Sequence, residues 1–177
     1  ILKVLSCFDK NIFLDNFNNQ TAGTTPVGWT TSEPSGTQIE ITSESLEGNR
    51  AVKASKTSSN NGNLYHRFAP QEDNISIEFL INHSSGSGRM RMEIEAVGSD
   101  GTGANDYIRF KMYNGQIRNS DTAIIGYTQG LVYKIKISLT PSSSTYNLYV
   151  NDILQGASLP VYSTQSNIAR ILFTTES

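Results

Sequence analysis

Arg89-Met90-Arg91-Met92-Glu93-Ile94-Glu95-Ala96-Val97 alternates charged and apolar side chains, and Tyr107-Ile108-Arg109-Phe110-Lys111-Met112-Tyr113 does the same. Successive side chains on a strand point to opposite faces, so a period of two marks a strand with one face in a core and one in water. The Gly-containing connection 98–104 suits a hairpin loop, so the two segments are expected to pair. Paired, they would gather Arg89, Arg91, Glu93 and Glu95 with Tyr107, Arg109, Lys111 and Tyr113 on one wet flank. Met90, Met92, Ile94, Ile108, Phe110 and Met112 would line the interior.

The same period recurs along the chain. It predicts strands over 38–42, 75–81, 133–139, 146–150 and 168–174, with shorter ones over 12–17, 51–56 and 64–68. Asn151-Asp152 reads as a two-residue hairpin turn, because both residue types tolerate positive φ. No stretch carries the i, i+3, i+4, i+7 spacing of an amphipathic helix. About ten strands without helices predict an all-β fold, a two-sheet antiparallel sandwich. At 177 residues the chain is expected to hold one domain, over 12–177, preceded by a leader or edge segment over 1–11.

Composition narrows the function classes. Ser, Thr and Asn make up 54 of the 177 residues, which suits many turns and a hydrated surface. A formal net charge of −2 gives no overall drive towards nucleic acid, so any charge effect must be local. No apolar run approaches the roughly 20 residues of a membrane span. The single cysteine, Cys7, excludes an intrachain disulfide and a cysteine metal cluster.

Phe13-Leu14-Asp15-Asn16-Phe17 followed by Thr25-Pro26-Val27-Gly28-Trp29 resembles the opening of bacterial laminin-G-like, concanavalin A-like jelly rolls. Tyr107-Ile108-Arg109-Phe110-Lys111 with Asn114-Gly115 resembles their middle strand pair. Val132-Tyr133-Lys134-Ile135-Lys136-Ile137 and Thr145-Tyr146-Asn147-Leu148-Tyr149-Val150-Asn151-Asp152 resemble their closing hairpin, with Ile153 where the family usually has Gly. The resemblance implies two curved antiparallel sheets, one structural calcium, and a role as a carbohydrate-binding or accessory domain beside polysaccharide-degrading catalytic domains, outside the cell or on its surface. Some members of the fold are themselves glycanases or lyases, so fold alone does not decide function.

Three chemistries compete for the residues. Sugar binding needs aromatic rings and multidentate polar groups, and Arg89, Arg91, Glu93, Tyr107, Arg109, Lys111 and Tyr113 would supply them, with Lys134 and Lys136 extending the strip. Such a strip favours an anionic glycan such as a uronate polymer, and the ligand expected is an acidic or a plant, algal or microbial polysaccharide. The rim residues Trp29, Asn60, Asn61, Asn63 and Tyr65 form a competing site. A lyase needs proton carriers and a carboxylate neutraliser, for which His66, His83, Tyr107, Tyr113 and Arg109 are the candidates. A glycoside hydrolase needs two carboxyls, and Glu93 with Glu95 is the nearest match. Adhesion to protein at a cell surface is the third class. For calcium, Asp15 and Asp100 lie in oxygen-rich stretches.

Overall fold

The computed structural model describes residues 2–5, 14–84, 88–96 and 106–176. Its strands are β1 (Leu2–Leu5), β2 (Thr30–Ser32), β3 (Thr37–Leu46), β4 (Asn49–Lys56), β5 (Gly62–Gln71), β6 (Ile75–Asn82) and β7 (Arg89–Glu95). They continue as β8 (Asp106–Tyr113), β9 (Gln116–Asn119), β10 (Thr122–Gly126), β11 (Val132–Leu139), β12 (Thr145–Val150), β13 (Ile153–Pro160) and β14 (Ile168–Glu176). No described residue is helical. The chain is an all-β, two-sheet jelly-roll sandwich. Sheet A has the order β13-β12-β11-β6-β1-β4-β3 and sheet B the order β10-β9-β8-β7-β14-β5-β2, each of seven strands.

Between the sheets lies a single large apolar core. Phe79 of sheet A meets Phe110 and Phe173 of sheet B edge-on, with ring centroids 6.1 and 5.4 Å apart. Such edge-to-face contacts contribute beyond area burial. The inward residues are the ones the alternation marks: Met92, Ile94, Ile108, Phe110, Met112, Ile135, Ile137 and Ile171 are buried. Trp29 closes one end, stacked against Phe17, His66 and Phe173. The turn at Asn151 and Asp152 has φ of 50° and 65°, the geometry of a tight primed hairpin turn, so Ile153 in the usual Gly position does not alter it.

Three expectations change. Leu2–Leu5 is an interior strand, paired with both β6 and β4, rather than an edge segment. Lys134 and Lys136 lie on the outer face of sheet A, Lys134 within 3.5 Å of Glu78 and 2.9 Å of Asp152, so they do not extend the sheet B strip. Tyr107 turns inward, for a reason that lies in the register of β8.

Candidate functional site

The hairpin of β7 and β8 forms as expected, with Arg91 opposite Lys111 and Glu93 opposite Arg109. The register then slips. Ile94 faces Ile108, but Glu95 faces Asp106, leaving Tyr107 as the extra residue of a β-bulge. Tyr107 is fully buried, and its hydroxyl lies 2.9 and 2.6 Å from the carbonyl oxygens of Thr140 and Ser143. The carboxylate of Asp106 comes to the outer face instead. Arg89, Arg91, Glu93, Arg109, Lys111 and Tyr113 share that face; Tyr107 does not.

The strip is neutralised from within. Arg109 Nε donates to Asp106 Oδ2 at 2.6 Å, and Lys111 Nζ to Asp121 Oδ1 at 2.9 Å. Arg91 Nη1 lies 2.9 Å from Glu176 Oε1, and Arg89 Nη1 lies 3.3 Å from Glu176 Oε2. Arg170 of β14 pairs with Glu95. Tyr162 crosses over, its backbone N–H bonded to Tyr107 O and its ring 3.6 Å from the Arg109 guanidinium carbon. Tyr113 is flanked by Arg89, 4.8 Å from its ring centre. The expected cation strip is thus a lattice of ion pairs.

Its centre is a trio of buried carboxyls, Glu93, Glu95 and Asp106, with oxygens within 4.8 Å of one another. Burial, opposed by Arg91, and a hydrogen bond with Asp106 raise the Glu93 carboxyl to about 7. Arg91, Arg109 and Arg170 already lie against the trio, which therefore fits a neutralised network better than a metal centre. Glu93, Glu95 and Asp106 are buried and each is held by an arginine, so the trio is a neutralised network rather than an acid and base presented to a sugar.

Nor are the expected proton carriers assembled. His66 packs on Trp29, with Nδ1 2.8 Å from Gly28 O. His83 bonds Tyr127 Oη at 2.5 Å, and burial lowers its pKa. Tyr107 belongs to the core. Asp15, the calcium candidate among the described residues, is bonded within the chain: Oδ1 accepts from the Phe17 N–H, and Oδ2 accepts from Trp29 Nε1 and Gln20 Nε2. Asp100 lies outside the described residues.

The open part of the face is next to the lattice. A polar pocket of about 370 Å³ lies over β2, β5, β14 and β7. Its floor is one row of directly opposed residues, Ser32–Asn63–Thr174–Arg91, beside the pair Tyr65–Leu172. Asn61 and Arg170 complete it. The hollow follows from side-chain length: Ser, Asn and Thr stand low beside the long arginines of β7 and β14. Arg91 of the strip and Asn61, Asn63 and Tyr65 of the rim, read from sequence as rival sites, are thus one site. Ser32, Arg170, Leu172 and Thr174 were not foreseen; alternation over 168–174 puts Arg170, Leu172 and Thr174 on one face, but not beside Arg91. A larger cavity of about 620 Å³ opens at one end between the sheets, against Ile39, Val52, Leu64, Ile81 and Phe173. Its apolar lining suits a sugar poorly.

Comparison with solved structures finds proteins that share this sandwich fold. A sialidase matches 92% of this chain with 17% identity and a TM-score of 0.73, over 14% of its own length. The Trypanosoma (T. cruzi) calreticulin globular domain matches 85% of the chain at 12% identity and TM-score 0.55, over 79% of its length. The Emp47p carbohydrate recognition domain matches 91% at 13% identity and TM-score 0.50, over 84% of its length. At these identities the likeness is one of fold. The chain spans only a small part of the sialidase. No protein-family model matches the chain, and no curated protein matches its sequence.

Proposed function

We propose that the chain is a non-catalytic carbohydrate-binding module that holds an acidic polysaccharide on the outer face of sheet B. It would work outside the cell, attached to catalytic domains that degrade the polymer. The observation that carries this reading is the polar pocket over β2, β5, β14 and β7, where hydroxyl, amide and guanidinium groups converge beside an aromatic ring. Such a mix suits a sugar, which offers hydroxyls in its plane and an apolar ring face. Binding without turnover is supported by the covered carboxyls and by the separation of His66, His83 and Tyr107.

The test is affinity electrophoresis on neutral and acidic polysaccharides, with the same samples scored for cleavage. Retardation on at least one polymer without cleavage is expected, weaker at high salt. Unsaturated uronate products absorbing in the near ultraviolet would make the chain a lyase. Absence of retardation on every polymer would turn attention to protein adhesion.

A further inference from the structure

We propose that the pocket over β2, β5, β14 and β7 takes one sugar unit at a time and recognises it by a carboxylate, which Arg91 and Thr174 hold while Asn63 and Ser32 read the ring hydroxyls. This rests on the carbohydrate-binding reading and narrows it from a charged sheet face to four side chains in one row.

Four observations point there. First, Arg91 and Arg170 both line the pocket, and none of its described lining residues is a carboxylate, so the charged groups that face the hollow are cationic. The acids of the lattice are turned to other faces of the same guanidinium groups: Glu176 at Arg91 Nη1, Glu93 at Arg91 Nε, and Glu95 at Arg170 Nε. Arg91 meets these acids through Nε and Nη1, and a guanidinium, with five N–H donors, can take a further carboxylate.

Second, Thr174 is only 3% exposed and its hydroxyl has no hydrogen-bond partner, although it stands directly opposite Arg91. An unmet buried hydroxyl is costly, and a ligand oxygen between it and Arg91 would satisfy it. Third, Ser32, Asn61 and Asn63 bring one hydroxyl and two amide side chains to the same hollow, groups of the kind that read ring hydroxyls. The row crosses four strands about 4.8 Å apart, a span that lets a carboxylate rest at one end and ring hydroxyls at the other. Leu172 and the Tyr65 ring, itself between Arg67 and Arg170, offer the ring face a dry wall.

Fourth, size sets the number of units. About 370 Å³ is near the lower end of the roughly 300–1000 Å³ range of small-ligand pockets, room for one ring with its substituents.

The experiment is calorimetric titration of the whole chain with glucuronate, galacturonate, mannuronate and guluronate, each against its neutral hexose. It is repeated with Thr174→Val, Asn63→Ala and, as a control on the other sheet, Lys134→Ala. At least one uronate should bind tenfold or more tighter than its hexose. Thr174→Val should weaken that uronate about tenfold without lowering the melting temperature, since it removes only an unmet hydroxyl. Lys134→Ala should change nothing. Equal binding of uronate and hexose would overturn the carboxylate assignment and leave sugar binding standing. A uronate preference unmoved by Thr174→Val and Asn63→Ala would put the site elsewhere. No binding of any of the eight sugars would overturn the one-unit pocket, and only added failure on the polysaccharide panel would remove the carbohydrate reading itself.

Discussion

Replacing Glu93 by Gln isolates the electrostatics of the lattice. Glu93 faces Arg91 and Glu95 on its own strand, Asp106 and Arg109 on β8, and Leu172 on β14. Burial, against the pull of Arg91, and the neighbouring Asp106 raise its carboxyl from the ordinary 4.5 to about 7. Between those two values the folded chain keeps a proton that the unfolded chain has released. Stability from this group is therefore fully present below about pH 4.5 and is lost as pH rises through about 7. At about 1.4 kcal/mol per tenfold change in proton affinity, the ceiling is roughly 3 kcal/mol. Glutamine has nearly the same shape, can donate to Asp106, and does not titrate. Urea unfolding of both proteins from pH 5 to 8 is the assay, because other titrations cancel in the difference. The parent should lose about 1–3 kcal/mol relative to the Gln variant across that window. A flat difference, or a parent that gains on the variant as pH rises, would refute the raised Glu93 carboxyl.

The remaining expectations are simpler. Arg170→Met removes the partner of buried Glu95 and should cost about 3–5 kcal/mol in chemical unfolding, whereas exposed Lys53→Met, which loses only its pair with Glu44, should cost less than about 1. Tyr146→Phe should be neutral or stabilising by about 1 kcal/mol, since the buried hydroxyl has no partner and burial pushes its phenol up; a clear loss of stability would reveal a hydrogen bond there. Asp15→Ala frees Trp29 Nε1 and the Phe17 N–H, so thermal unfolding should shift down while sugar affinity of the folded fraction stays the same; lost affinity would move the site to the Trp29 end.

Alternation made the sandwich legible because the interior of a sheet selects every second residue. Over 135–139 and 146–150 the residues it chooses are the buried ones, whereas over 89–96 Glu93 and Glu95 of the other face are buried as well, by the ion pairs above them. The hairpin turn at Asn151 was legible for the same local reason. Strands β2, β9, β10 and β13 were not: the first three are only three to five residues long, and β13 is mostly exposed with no regular alternation. Tyr107 was misplaced because a bulge leaves no mark on the alternation: the sequence period is intact while the pairing slips by one. What forces the slip is tertiary, since a phenol can be buried there only by reaching the carbonyls of Thr140 and Ser143, more than thirty residues away.

That slip also explains why the charges visible in the sequence are not the open ones. Without it, Tyr107 would stand beside Glu95, and Arg109 would have Glu93 alone as its acid. With it, Asp106 enters the face, Arg109 gains a second carboxylate, and Tyr162 covers the group. Arg109 and Lys111 of β8 are thereby spent on neighbouring acids, and the exchange of sheet face for buried ion pairs contributes little net stability. Contact with a ligand is left to Arg91 and the adjoining strands, where side chains are short. There Thr174 and Asn63 sit below the level of Arg91, and the step in height makes the concavity. A run of arginines and tyrosines marks the right sheet and the right face. The residues that shape the hollow are small, uncharged and drawn from strands distant in sequence, so only the register of β14 against both β7 and β5 brings them together.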